Sequence, residues 1–120
     1  MEKTEELARK IAQLVQDGKG ADTVLINVSE LNSWTDYFVI ATVNSSAHWQ
    51  GIFRQVNEFA KENGLETRQS NKKLPSGDDW NLIDLGAIVV HLMSKEARTF
   101  YDLEKLWKAG KILEIDSQDE

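Results

Sequence analysis

Cysteine is absent from the 120 residues of the sequence. Disulfide bonds and thiolate metal sites are therefore excluded as sources of stability, and a reducing compartment fits this composition. No run of about 18 consecutive apolar residues occurs, which argues against a membrane-spanning helix and a membrane partner. We therefore expect a cytoplasmic protein.

Basic residues are in the minority, since 14 Lys and Arg stand against 20 Asp and Glu for a formal net charge of −6. A protein that holds nucleic acid mainly by its phosphates needs a basic face, because counterion release scales with the Lys and Arg contacts it makes. The charge balance therefore favours a protein partner and predicts little direct contact with nucleic acid.

Internal repeats and linkers are also missing, so residues 1–120 are expected to form a single domain. We predict a core over about residues 5–108 and an acidic tail over 109–120, where acidic side chains crowd together. The hydrophobic share of 41% and the charged share of 28% are ordinary for a globular protein.

Hydrophobic periodicity and capping residues predict elements in the order α-β-β-α-β-β-β-α. The last two strands form a hairpin around Gly86, and the middle helix makes a parallel crossover. The expected fold class is therefore α/β, with a mixed five-stranded sheet and three helices. The predicted helices cover about residues 4–17, 46–63 and 95–108, and the predicted strands about 23–28, 36–43, 66–69, 80–85 and 87–93.

The polar residues do not assemble into a recognisable catalytic pattern. The two histidines, His48 and His91, have no metal-site spacing, and no phosphate-binding glycine loop occurs. His48 is expected to be a polar first-turn residue, and His91 is favoured as a core histidine over an exposed contact. Asp36 and Asp84 could serve acid–base or metal chemistry, but hydrogen bonding at turns and strand ends is favoured. We therefore expect no enzyme activity, no cofactor and no metal.

The predicted hairpin carries large residues on both faces. Strand alternation groups Trp80, Leu82 and Asp84 on one face of the first strand, and Val89, His91 and Met93 on one face of the second. An apolar area that bears a tryptophan and stays uncovered is typical of a protein-binding patch. A helix that covers the same area is the equally weighted alternative.

The last helix offers a second candidate surface. The residues predicted for its core-facing arc are Phe100, Leu103, Trp107 and, more peripherally, Leu106. About 140° from the centre of that arc lies Tyr101, which is grouped with Arg98, Lys105 and Lys108. A tyrosine among basic residues on an acidic protein suggests a contact face, although an ordinary solvated helix face has the same pattern.

Three ordered blocks of the sequence, residues 33–42, 80–91 and 98–107, together resemble the ribosomal silencing factor (Iojap) family. Residues 33–42, SWTDYFVIAT, are similar to its S-x-T-D-Y-F-V-I-A-T segment. Residues 80–91 are similar to its W-x-L-[LIV]-D-[YFL]-G-x-[VI]-[VI]-V-H block, and residues 98–107 to its R-x-[FY]-Y-x-L-E-x-L-W signature. With matching spacing, the resemblance covers about residues 5–108.

This resemblance implies a nucleotidyltransferase-like fold without nucleotidyl transfer. It implies binding to the large ribosomal subunit through its fourteenth ribosomal protein, steric exclusion of the small subunit, lower translation under nutrient limitation, and a possible homodimer off the ribosome. The candidate docking residues that it suggests, together with the patch and helix surfaces above, are Trp80, Leu82, Asp84, His91, Met93, Arg98, Tyr101, Glu104 and Lys105.

The chain departs from the family pattern at several positions. Val43 replaces a usual glycine, Ser46 and Ala47 replace an Asp-Arg pair, and Ala87 replaces a common acidic residue. Two alternatives to silencing remain open, namely an adaptor for large-subunit maturation and an enzyme that retains nucleotidyl transfer. The enzyme is disfavoured because the phosphate-binding glycine-serine pattern and a D-x-D pair are missing.

Overall fold

The computed structural model describes residues 2–31, 35–65, 80–102, 105 and 110–113, apart from the side chains of Glu2, Lys3, Ser46, Trp80 and Tyr101. The helices are α1 (Glu2–Asp17), α2 (Ser46–Glu62) and α3 (Lys95–Tyr101). The strands are β1 (Ala21–Asn27), β2 (Tyr37–Thr42), β3 (Trp80–Asp84), β4 (Ile88–Met93) and β5 (Lys111–Leu113). None of the described helices is long and apolar enough to cross a membrane.

The five strands form one sheet in the order β3-β4-β2-β1-β5. Strands β2 and β4 are parallel, and every other neighbouring pair is antiparallel. The parallel pair requires a crossover, which α2 and β3 supply between the two strands. The predicted α/β class, with a mixed five-stranded sheet and three helices, is therefore confirmed.

The element order differs from the predicted one because a strand follows the last helix. Strand β5 pairs antiparallel with β1, with Ile112 opposite Ile26. Part of the segment predicted as an acidic tail is thus an edge strand of the sheet. A three-residue strand is too short to give a periodic signal, and the strand predicted over residues 66–69 lies outside the described residues.

Helices α1 and α2 cover one face of the sheet, as their apolar stripes predict. Their buried contributions to this core are Ala8, Ile11, Ala12 and Val15 from α1, and Ile52, Val56 and Ala60 from α2. Strand residues that face them include Val39, Ile83, Val90 and Leu92. Ser45 caps α2 by accepting a hydrogen bond from the His48 N–H at 3.1 Å, so the helix begins where the residue pattern places it.

Helix α3 lies on the opposite face of the sheet. Its Ala97 packs in a second buried cluster with Ile26, Val28, Phe38, Ile40, Val89 and Met93. The helix ends at Tyr101, because Asp102 adopts a left-handed conformation with φ 50° and ψ 56°. The predicted single helix over 95–108 is corrected at this point, since α3 ends at Tyr101. Lys105 is again helical, and the other residues of 103–109 lie outside the described residues.

Candidate docking surface

The β3–β4 hairpin positions the sequence-predicted docking residues in register. Trp80 lies opposite Met93, Leu82 opposite His91, and Asp84 opposite Val89. Leu82 packs against the second buried cluster, the one that contains Met93 and Ala97. The predicted division of the hairpin into two faces is confirmed, and the face with Leu82 is the one on which α3 lies.

Two of the predicted docking residues are buried within this face. Met93 is fully buried, and His91 is 6% exposed with its ring edge-on to Phe38 at a centroid distance of 4.7 Å. Met93 belongs to the second buried cluster and His91 packs against Phe38 of that cluster, so neither side chain lies at the surface. The expected contact role of His91 and Met93 is corrected accordingly, and the preference for a core histidine at His91 is confirmed.

Burial lowers the pKa of His91 to about 3. The imidazolium form is disfavoured because a charge loses its hydration inside the protein. The ring is therefore neutral throughout the physiological pH range.

Asp84 is used locally at the hairpin turn. Its Oδ1 accepts a hydrogen bond from the Gly86 N–H at 2.9 Å, and Gly86 itself has a positive φ of 87°. The turn role predicted for this carboxylate is confirmed, while part of its side chain remains accessible. Within the described ranges, no group of three or more His, Asp or Glu side chains could hold a metal ion.

His48 is also engaged within the protein. Its Nδ1 accepts the Asn44 N–H at 3.1 Å, so Nε2 carries the proton that it donates to the carbonyl oxygen of Gly18 at 2.9 Å. The residue joins the end of α1 to the segment before α2. It is a first-turn residue as predicted, with a bridging role that the sequence did not indicate.

Helix α3 presents an aromatic side chain that was predicted to lie in the core. Ser94 caps the helix by accepting the Ala97 N–H at 3.1 Å, and Ala97 turns inward with 5% exposure. Phe100 is 79% exposed, so its predicted core position is wrong. The predicted arc assumed a helix that continues to Trp107, whereas the turn at Asp102 ends the helical period. The signal in the sequence that pointed to an exposed aromatic residue was the adjacent pair Phe100 and Tyr101, directly before that turn.

The remaining predicted residues are Arg98, which is bound within the protein, Lys105, which is exposed, and three that are wholly or partly undescribed. The Arg98 guanidinium donates to the carbonyl oxygens of Ala21 and Asp22 and to the Thr42 hydroxyl. Lys105 is exposed, and its backbone N–H donates to the Asp102 carbonyl oxygen at 3.0 Å. The side chains of Trp80 and Tyr101, and the whole of Glu104, lie outside the described residues.

Comparison with known proteins gives matches over most of the chain. A family model described as ribosomal silencing factor during starvation matches residues 1–120. The ribosomal silencing factor of Treponema pallidum is 38% identical over 101 residues, covering 84% of this chain and 89% of that protein. The mouse protein named mitochondrial assembly of ribosomal large subunit protein 1 is 33% identical over 100 residues, covering 81% of this chain and 43% of that protein.

A solved structure supports the same relationship. A crystal structure of a protein from Chromobacterium violaceum superposes with a TM-score of 0.77 at 29% identity, covering 94% of this chain and 92% of that one. The resemblance carried by the three sequence blocks is confirmed, and it points to a ribosome-associated regulatory role. The chain belongs to the ribosomal silencing factor family.

Proposed function

We propose that this protein is a translational repressor that binds the large ribosomal subunit through its fourteenth ribosomal protein. Bound there, it sterically blocks joining of the small subunit and lowers translation under nutrient limitation. The observation that carries the proposal is Phe100, which is 79% exposed on a helix of a chain that belongs to this family. Exposed aromatic residues are enriched at the centres of protein interfaces.

The proposed docking face is formed by β3 and α3 on one side of the sheet. Leu82 and Ala97 pack against the same cluster, so both elements border this surface. The members with described side chains are Leu82, Asp84, Phe100 and Lys105, and the family resemblance adds Trp80, Tyr101 and Glu104. This combination gives an apolar and aromatic centre with charged residues, which is the usual composition of a protein interface.

The charge of the chain supports contact with protein rather than with ribosomal RNA. A net charge of −6 is repelled by phosphate groups, whereas binding to RNA is driven by Lys and Arg. We propose that the protein acts by occupancy and not by catalysis. The burial of His91 and the hydrogen bond that Asp84 accepts from the Gly86 N–H support this view, since both side chains are engaged within the protein.

The functional test mixes purified protein with isolated large subunits and then adds small subunits. We expect the wild type to co-sediment with large subunits and to suppress joining, measured as the fraction of joined ribosomes in a sucrose gradient. Trp80→Ala should do neither while it keeps the wild-type circular dichroism spectrum. Truncation of a central aromatic typically costs about 2 kcal/mol or more, roughly a 30-fold loss of affinity.

Two outcomes separate the parts of this proposal. No co-sedimentation by the wild type would overturn the assignment itself. Full activity of Trp80→Ala would remove Trp80 from the interface but leave the assignment standing. Binding to the purified fourteenth ribosomal protein alone, measured by calorimetry, tests the identity of the partner independently of the ribosome.

The second candidate function is an adaptor for maturation of the large subunit. It is favoured by the mouse relative, whose name refers to assembly of that subunit. The two roles predict different results when the gene is deleted. An assembly adaptor predicts that large-subunit precursors accumulate during growth, whereas a silencing factor predicts normal subunits and a failure to reduce translation on starvation.

We propose that the protein works in the cytoplasm and forms a homodimer when it is not bound to the ribosome. The family resemblance supports the dimer, which would store the protein in a form distinct from the bound one. Light scattering of the free protein at several concentrations gives its mass, and a monomer throughout the micromolar range would contradict this part of the proposal.

A further inference from the structure

Helix α3 is short and borders the proposed docking face. It spans Lys95–Tyr101, and Ala97 is its described member of the second buried cluster. The cap from Ser94 fixes where the helix begins, but a cap alone does not fix the direction of a short helix. Short isolated helices are marginal in water, so α3 depends on tertiary contacts.

Arg98 supplies such a contact to two strands at once. Its Nη1 donates to the Ala21 carbonyl oxygen at 3.1 Å and to the Thr42 hydroxyl at 3.0 Å. Its Nη2 donates to the Asp22 carbonyl oxygen at 2.6 Å. The guanidinium therefore joins α3 to the start of β1 and the end of β2.

The acceptors for this contact come from an irregularity in the sheet. The β1–β2 register shifts between Ala21 and Val24, and Asp22 has a positive φ of 50°. This distortion lets two successive carbonyl groups, those of Ala21 and Asp22, accept from one guanidinium. The planar guanidinium group of arginine has several N–H donors that can reach these acceptors together, whereas the single ammonium group of a lysine does not match this arrangement.

We propose that Arg98 is a positioning residue, which holds α3 against the β1–β2 ladder so that Phe100 is presented to the partner. The inference rests on the proposed function and changes the role of Arg98 from contact to support. The side chain that touches the partner is then Phe100, two residues further along the helix. The Arg98 guanidinium donates its hydrogen bonds within the protein, among others to two carbonyl oxygens of the sheet.

Two conservative variants test this role, Arg98→Lys and Thr42→Val. Arg98→Lys keeps the positive charge and removes the planar guanidinium group with its several N–H donors. Thr42→Val keeps the size of the side chain and removes one acceptor without altering α3. Binding to isolated large subunits is measured by sedimentation over a range of concentrations, and amide hydrogen exchange is measured for residues 95–102 and for β2.

A positioning role predicts that Arg98→Lys weakens binding about tenfold or more, and Thr42→Val about threefold. Both variants should speed exchange in α3 while exchange in β2 stays at the wild-type rate. The double variant should bind about as weakly as Arg98→Lys alone, because both changes disrupt one hydrogen-bonded unit. A residue that merely touched the partner would leave Thr42→Val at wild-type affinity and α3 exchange unaltered.

The outcomes separate this inference from the proposed function. If the wild type binds and both variants bind equally well, Arg98 does not position the docking helix. Faster exchange in α3 with unchanged binding would equally overturn the inference, because the helix position would then not matter for docking. If the wild type itself does not bind, the proposed function fails, and unchanged α3 exchange in the variants would still refute the attachment.

Discussion

Leu82 and His91 lie opposite each other across the β3–β4 ladder, yet Leu82 keeps part of its surface exposed while His91 is buried. The difference follows from their positions in the sheet. β4 lies between β3 and β2 in the sheet, and α3 packs on its face. β3 is the edge strand of the described sheet. The boundary between the core and the proposed docking face therefore runs between these two residues.

The first prediction concerns pH. Folded His91 stays neutral down to a pKa of about 3, while in the unfolded chain it takes up a proton near its ordinary value of 6.5. Between these values the unfolded state binds more protons, so the free energy of unfolding falls as pH falls below about 6.5. The expected slope from this one group is about 1.4 kcal/mol per pH unit.

Urea unfolding of the wild type and of His91→Leu at several pH values from 7 to 4 measures this contribution. The carboxylates are the same in both proteins, so the difference in slope isolates His91. The stability of the wild type should fall more steeply below about pH 6. Parallel curves for the two proteins would show that His91 does not have a strongly lowered pKa.

The second prediction concerns the bridge formed by His48. His48→Ala removes the hydrogen bonds to Asn44 and Gly18. We expect a loss of about 1–3 kcal/mol in the free energy of unfolding, since each hydrogen bond contributes roughly 0.5–1.5 kcal/mol. Alanine has the higher helix propensity, so any loss is due to the bridge. Gln50→Ala, at an exposed position of the same helix, is the control, and equal urea midpoints for the two variants would refute the bridging role.

The third prediction contrasts two glycines. A Cβ on Gly51, inside α2, meets no atom within 4 Å, whereas a Cβ on Gly20 would lie 2.8 Å from Val15 Cγ1 and 2.9 Å from the Val15 carbonyl oxygen. Gly51→Ala should therefore raise the free energy of unfolding by about 0.5–1 kcal/mol through helix propensity. Gly20→Ala should lower it by about 1–3 kcal/mol through overpacking. Thermal melts of both variants provide the measurement, and shifts of the same sign would contradict the packing described here.

The apolar periodicity of the sequence was sufficient to predict most of the fold. Ile11, Val15, Ile52 and Val56 fall on predicted helical stripes and are buried between the helices and the sheet. Strand alternation placed Ile83 and Leu82 on opposite faces, as observed. These positions were predictable because burial on one face imposes a regular spacing that the sequence records.

The features that the sequence did not predict are a helix end, a short strand pairing and long-range hydrogen bonds, and none of these has a periodic residue pattern. A left-handed Asp102 ends α3 and leaves Phe100 exposed, and a three-residue pairing brings β5 onto β1. The Arg98 contacts join residues more than 50 positions apart, and two of the three acceptors are backbone carbonyl groups, which leave no mark in the side-chain pattern. Met93 was assigned to a surface patch because alternation identifies a face but does not show what covers it, and the family resemblance added His91 to the candidate contacts.

The fourth prediction concerns the docking face itself, through the affinity of Phe100→Ala for isolated large subunits. Its matched control is Ile112→Ala, which truncates another exposed apolar residue, 68% exposed, on β5 at the opposite edge of the sheet from β3. Neither side chain is buried, so both variants should keep the wild-type melting temperature within the small range typical of surface substitutions.

Titration of large subunits with each labelled protein is the most direct test of docking through β3 and α3. The account predicts that Phe100→Ala binds about 30-fold more weakly than the wild type, while Ile112→Ala binds as the wild type does. Wild-type affinity for Phe100→Ala together with a large loss for Ile112→Ala would contradict it, because the ribosome would then be bound through the β5 edge of the sheet.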